Sequence, residues 1–352
     1  MMTIIRRKTK AVIGRNIKIG SDFPISIQSM TNTDTRNSGE TIEQIKKLEE
    51  IGCDIVRVAV PDREAAEALK LIKKNINIPL VADIHFDYRL ALLAIENGVD
   101  KLRLNPGNIG GEDRVIEVVK KAKDYNIPIR IGVNAGSIEK EILQKHGKLC
   151  PEALVESAMK HIDILEALNF ENIVVSLKAS DIILCYDSYK LIAKKIKYPL
   201  HIGITEAGTI KTGTIKSSIG VGALLLDGIG DTIRISLTGD PLEEVSVARE
   251  ILQALNIRRF GIKFISCPTC GRCQIKLIEI ANRVEQKLKN IDKPITVAIM
   301  GCSVNGPGEA READIGIAGG KNEALLFKKG EIIRKIDENM IEDVLIEEIM
   351  KM

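Results

Sequence analysis

The chain has 352 residues, 45% of them hydrophobic and 28% charged, and a formal net charge of +3. Such a balance describes a soluble globular protein long enough for two domains, and so small a charge argues against a nucleic-acid partner. No apolar run approaches the roughly 20 residues of a membrane span, the N-terminus shows no secretory pattern, and seven cysteines are too sparse for a disulfide scaffold. The expectation is a cytoplasmic protein.

Tryptophan is absent and aromatic residues reach only 3%, so the core is aliphatic, which suits parallel strands buried on both faces. Strands are predicted at 25–30, 55–60, 80–84, 101–104, 127–133, 173–177, 200–205 and 232–237. Helical periodicity lies between them at 40–51, 63–74, 111–125, 152–168 and 188–197, with a glycine-rich segment at 213–230 and a closing helix at 243–255. Eight such alternations predict a TIM (β/α)8 barrel over residues 1–255.

The strands are not uniformly apolar. Arg57 shares a face with Ile55 and Ala59, and Lys101, Arg103 and Asn105 alternate with Leu102 and Leu104. Arg130 and Asn134 share one face of their strand, as do Ser176 and Lys178, then Arg234 and Ser236, while Asp83 and His85 flank Ile84. Period-two geometry turns the aliphatic side to the helices and the polar side to the lumen. Five strands therefore direct a cation at one axis. A single strand-end arginine usually bonds a neighbouring carbonyl, but five on different strands need matching acids, and only Asp83 and Glu206 stand in these segments. A polyanionic ligand, best a phosphate compound, balances the excess.

After a linker at 256–259 the pattern changes to a small α+β domain over 260–352, with strands at 260–266, 295–300 and 314–318, helices at 274–289 and 340–350, and a hairpin about Lys329-Gly330. It carries Cys267-Pro-Thr-Cys270-Gly-Arg-Cys273 and Gly301-Cys302-Ser-Val-Asn-Gly-Pro-Gly-Glu309. By spacing, all four cysteines can reach one centre, a structural zinc or an iron–sulfur cluster. The turn 305–308 returns the Glu309 carboxylate toward Cys302, an arrangement with more use at a cluster that keeps one exchangeable ligand. The histidines 146 and 161 and the cysteines 53, 150 and 185 read as packing residues.

Both cysteine segments resemble those of the bacterial 4-hydroxy-3-methylbut-2-enyl diphosphate synthases of the non-mevalonate isoprenoid pathway. So do Gln28-Ser-Met-Thr-Asn-Thr-Asp-Thr35, Asp83-Ile-His-Phe86, Leu102-Arg-Leu-Asn-Pro-Gly-Asn108, Arg130-Ile-Gly-Val-Asn-Ala-Gly136, Ser176-Leu-Lys-Ala-Ser180, Thr205-Glu-Ala-Gly208 and Arg234-Ile-Ser-Leu-Thr-Gly239. The resemblance implies a TIM barrel followed by a sulfite/nitrite-reductase-like iron–sulfur domain, and reductive ring opening of 2-C-methyl-D-erythritol 2,4-cyclodiphosphate. It implies a [4Fe-4S] cluster on Cys267, Cys270, Cys302 and Glu309, with Cys273 a departure from the family pattern. Reduced flavodoxin or ferredoxin would feed the cluster, and a head-to-tail homodimer would close the site. Arg57, Asp83, His85, Arg103, Arg130, Asn134, Lys178, Arg234 and Ser236 become candidates for substrate binding, and Glu206 for the acid. The rival readings are a pterin-binding-like transferase barrel with a zinc domain, and an electron carrier for which the barrel is scaffold.

Overall fold

The chain opens with a short antiparallel hairpin of β1 (Val12–Ile13) and β2 (Lys18–Ile19). Its apolar residues Val12, Ile17 and Ile19 pack with Ile55, Val81 and Val174, which stand at or near the amino-terminal ends of their strands. The structure is a computed structural model and describes residues 4–288, 291, 293–302 and 313–352.

Eight parallel strands follow: β3 (Ser26–Met30), β4 (Ile55–Ala59), β5 (Leu80–Asp83), β6 (Lys101–Arg103), β7 (Ile129–Asn134), β8 (Ile173–Lys178), β9 (His201–Ile202) and β10 (Thr232–Ile233). Their order is β8-β7-β6-β5-β4-β3-β10-β9. A parallel bridge between Val175 and Leu200 joins the two ends of this order. The predicted (β/α)8 barrel is therefore observed, with the hairpin capping its amino-terminal end.

The outer layer is α1 (Ser38–Glu50), α2 (Arg63–Lys74), α3 (Tyr88–Glu96), α4 (Glu112–Asp124), α5 (Lys140–His146), α6 (Pro151–Ala167), α7 (Ile182–Lys195), α8 (Ile210–Leu226) and α9 (Pro241–Ala254). Side chains of Asn37, Asp62, Asp87, Asp181 and Asp240 accept from first-turn N–H groups and fix where five of these helices start. Helix α2 turns Ala65, Ala66, Leu69 and Ile72 inward, the spacing of a buried stripe. Helices α3 and α5 were not expected, and α7 begins at Ile182 rather than 188 because Asp181 receives the Leu184 N–H at 2.7 Å. The glycine-rich segment is α8, whose buried face includes Gly213, Gly220 and Gly222.

The chain divides into two compact units after Arg258. In the first, Arg258 donates to Ile25 O at 2.9 Å and to Asp54 Oδ1 at 3.2 Å, so the chain leaves this unit at the amino-terminal end of the barrel. The second unit has a five-stranded sheet in the order β11 (Lys263–Ser266), β12 (Thr296–Met300), β13 (Ile315–Gly320), β14 (Glu323–Lys328) and β15 (Glu331–Asp337). The first three strands are parallel, and β14 and β15 add antiparallel. Lys329 at φ 50° and Gly330 at φ 84° make the two-residue turn between them, both in the left-handed region that such turns require. Helices α10 (Leu277–Leu288) and α11 (Ile341–Lys351) share a core with Val297, Ile299 and Ile317, while Ala298, Met300 and Ala318 belong to a second, smaller cluster. The alternation along β12 separates these two faces.

Candidate active site

The carboxyl ends of the barrel strands carry a network centred on Asp83. Its Oδ1 receives Arg103 Nη1 at 3.1 Å, and its Oδ2 lies 3.7 Å from Arg57 Nε and 3.6 Å from His85 Nε2. Arg103 also donates to Gly132 O at 3.1 Å. A Cβ at Gly132 would stand 2.7 Å from Arg103 Nε, so only glycine lets this guanidinium lie across β7. Arg130, beside Arg103 in register, gives one bond to Ser176 Oγ at 2.9 Å, while its Nε and Nη2 are buried without a partner among the described residues. Lys178 is buried, and among the described residues no acid lies within ion-pair distance of it.

Arg234 meets Glu244 Oε1 at 3.4 Å. Glu244, in the first turn of α9, also accepts from Ser29 Oγ and from Leu237 N–H, each at 3.1 Å. Sequence reading missed this acid because it sought counter-charges on strand ends, and Glu244 comes from a helix. The expectation that Glu206 shares the balancing of the lumen is corrected: Glu206 is exposed, and its backbone is held at φ 52°, a left-handed conformation that costs energy for a non-glycine residue. His85 is exposed beside Asp83, Asn134 ends β7 in register with Lys178, and Ser236 is half-buried after β10.

Deeper in the lumen lie two groups that were not nominated. Lys101 is fully buried, with its Nζ 3.4 Å from Gln28 Oε1. His201 Nδ1 is 2.6 Å from Thr232 Oγ1, and its Nε2 has no partner among the described residues. Among the described residues, six cations (Arg57, Lys101, Arg103, Arg130, Lys178 and Arg234) thus face two carboxylates, Asp83 and Glu244. Burial pushes Arg57 down to about 10, with Arg234 and Arg103 adding to the fall and Asp83 opposing it. Burial, then neighbouring cations, push Arg130, Lys178, Lys101 and His201 well below their ordinary values. Burial opposes ionisation of Asp83, but Arg57, His85 and Arg103 outweigh it and hold the carboxyl well below the usual range. The arrangement carries a surplus of positive charge that an anion would balance.

In the second unit, Cys267 follows β11 and Cys302 follows β12, so two thiols leave the carboxyl ends of adjacent parallel strands. The Gly301 N–H donates to Cys267 Sγ at 3.2 Å. A Cβ at Gly301 would come within 2.7 Å of Cys273 Sγ, so that glycine admits the third thiol. Cys270 is exposed, and its carbonyl accepts from Cys273 N–H at 2.9 Å. Among the described residues no three His, Cys, Asp or Glu side chains close on one point as a single metal ion requires. Glu309 and the turn 305–308 lie outside the described residues.

The GcpE TIM-barrel domain matches residues 9–249, and the GcpE protein C-terminal domain matches residues 263–351. The chain belongs to the GcpE family. A GcpE relative from Clostridium acetobutylicum, named 4-hydroxy-3-methylbut-2-en-1-yl diphosphate synthase (flavodoxin), is 62% identical over 99% of this chain and 99% of its own. One of the same name from Geobacter sulfurreducens is 59% identical over 99% of this chain and 98% of its own. Among solved structures, dihydropteroate synthase of Yersinia pestis matches 70% of this chain and 98% of its own at TM-score 0.50 and 10% identity. The 3-dehydroquinate dehydratase of Geobacillus kaustophilus matches 71% and 99% at TM-score 0.50 and 15% identity. At such identities the likeness shows a shared fold alone. No helix among the described residues is long and apolar enough to cross a membrane.

Proposed function

We propose that this chain converts 2-C-methyl-D-erythritol 2,4-cyclodiphosphate to (E)-4-hydroxy-3-methylbut-2-enyl diphosphate, taking up two electrons and two protons and releasing water. The observation that carries the reading is the surplus of buried cations at the barrel mouth, in a chain whose second unit gathers cysteine thiols. A cyclic diphosphate supplies the missing negative charge. Arg57, Arg103, Arg130, Lys178 and Arg234 hold it as charge-assisted donors, and Asn134 and Ser236 add hydrogen bonds. The unpartnered Arg130 Nε and Nη2 favour this, because buried guanidinium donors without acceptors are costly until a ligand arrives. Asp83 fixes Arg57 and Arg103 in place, and His85 borders the same mouth. Glu206, exposed after β9, is the proton donor to the departing oxygen or the allylic carbon.

The donor set suits a [4Fe-4S] cluster. Soft thiolates prefer iron–sulfur centres, and an amide N–H already points at Cys267 Sγ. Cys267, Cys270 and Cys302 would hold it, with Glu309 as the exchangeable fourth ligand. When bound, the cluster supplies the reaction's electrons. The relatives' name makes reduced flavodoxin the donor to test first, with ferredoxin as the alternative. The reading includes a homodimer, which the exit of the chain at the amino-terminal end of the barrel, opposite the strand ends that carry the cations, supports. In such a dimer of a cytoplasmic enzyme, the second unit of one protomer would serve the barrel of its partner.

The test is anaerobic reconstitution with iron and sulfide, followed by assay with the cyclodiphosphate and reduced flavodoxin. A brown protein with about four irons per chain and formation of the linear diphosphate is expected. A colourless protein with stoichiometric zinc and no turnover would refute the reading.

A further inference from the structure

Lys101 opens β6 with its Cα beside Val81, and Val81 belongs to the apolar cluster in which Val12, Ile17 and Ile19 cap the barrel. The side chain is 0% exposed. Its ammonium reaches across the lumen to Gln28 Oε1 on β3 at 3.4 Å, long for a charge-assisted bond. Neither lumenal carboxylate serves it, because Asp83 is held by Arg57 and Arg103, and Glu244 by Arg234, Ser29 and the Leu237 N–H.

The titratable groups facing Lys101 are Arg57 from β4, Arg130 from β7 and His201 from β9, and all three are basic. Val81 from β5 and Val174 from β8 present only hydrocarbon. A charged amine here meets desolvation and like-charge repulsion with one weak amide acceptor to offset them. Arginine keeps its proton in such surroundings and lysine gives it up. Lys178, the other lysine of the lumen, ends β8 nearer the mouth, where ligand oxygens can meet it directly.

We propose that Lys101 is the proton-accepting floor of the anion site: neutral in the free barrel, it takes up one proton when a dianionic diphosphate enters above it. The proposal rests on the diphosphate reading. The incoming negative charge offsets most of the positive field that repels a proton from Lys101, so ligand and proton bind with reciprocal coupling. The device gives the occupied site an extra positive charge while sparing the empty barrel the repulsion of one more cation. It also favours dianions over monoanions of similar shape, which lack the charge to draw the proton in.

The experiment is isothermal titration of the oxidised holoenzyme with the cyclodiphosphate, without electron donor, in buffers of differing ionisation enthalpy from about pH 6 to 9.5. Each phosphate of this ligand carries a single strongly acidic proton, so the ligand does not itself titrate there. Wild type should take up close to one proton per ligand in the alkaline part of the range, where its Kd rises about tenfold per pH unit. Lys101→Met, whose side chain fits the same space without charge, should bind with little proton uptake and a flat pH profile. Wild-type binding without uptake at any pH overturns the proposal whether or not the variant folds. Uptake that persists in Lys101→Met also overturns it, since Lys178 or His201 would then be the acceptor. Failure of the cyclodiphosphate to bind at all would instead overturn the diphosphate reading.

Discussion

Replacing Asp83 by Asn removes the carboxylate from a site where two guanidiniums depend on it. The contacts are 3.1 Å to Arg103 and 3.7 Å to Arg57, and all three side chains are nearly buried. Breaking a buried pair from one side costs about 3–5 kcal/mol, because the other charge stays buried and uncompensated. The Asn carbonyl can still accept from Arg103, which puts the expected loss near the lower end, about 3 kcal/mol. Tyrosine fluorescence during urea unfolding reads it cleanly, since the five tyrosines all lie in the first unit and tryptophan is absent. The pH dependence has a definite sign. Asp83 is held below its unfolded value, so its contribution is present above about pH 4 and is lost as pH falls through the window below that. Wild type should show this acid loss and Asp83→Asn should not. Inorganic pyrophosphate should stabilise the variant more than wild type, because an anion replaces the missing charge. A variant within about 0.5 kcal/mol of wild type, with a parallel acid profile and the same response to pyrophosphate, would refute the electrostatic account.

Cys302→Ala should abolish the visible absorbance and the bound iron of the reconstituted protein, whereas Cys273→Ser should keep both. Cluster loss in the Cys273 variant, with Glu309→Ala unaffected, would assign the ligands to four cysteines. Arg130→Ala and Lys178→Met should each weaken cyclodiphosphate binding by about 1.5–3 kcal/mol in calorimetry with an unchanged cluster spectrum. Unaltered affinity in both would return these cations to structural roles. Chains carrying Glu206→Gln and chains carrying Cys267→Ser should each be inactive, yet after dissociation and reassortment regain up to about a quarter of wild-type activity. No recovery, once tagged-subunit exchange shows mixed dimers, would place each site within one chain.

The barrel was legible because its strands alternate polar and aliphatic residues with a period of two, as in 101–105 and 130–134, and that alternation assigns a face without any knowledge of neighbours. Depth along the axis is not written in the same pattern. Lys101 and Arg103 share a face, yet Lys101 lies beside the apolar cap and Arg103 beside Asp83, a difference set by how the strands stagger. Glu244 was missed for a related reason: it reaches the lumen from the first turn of α9. Its signal was its position four residues after the Asp240 cap, which aims a first-turn side chain back over the strand ends. Helix α3 had its signal in Asp87 before an apolar run, but Tyr88–Glu96 is short and has few polar residues to mark its outer side. The left-handed backbone at Glu206 is a property of tertiary closure, and no residue type there announces it.

The capping hairpin makes the barrel a cup rather than a tube. Arg6 and Arg7 fasten the segment before it, Arg6 to Asp231 at 3.0 Å and Arg7 to Tyr198 O at 2.7 Å. If the cations bind substrate as proposed, then substrate, product, protons and water share one doorway at the rim of the strands. On the proposed reading, a product diphosphate keeps the charge that the cations would grip, so it leaves by the route the next substrate needs. Traffic through the site runs in single file, and product accumulation should slow turnover by competing with substrate for the same cations rather than by acting at a separate place.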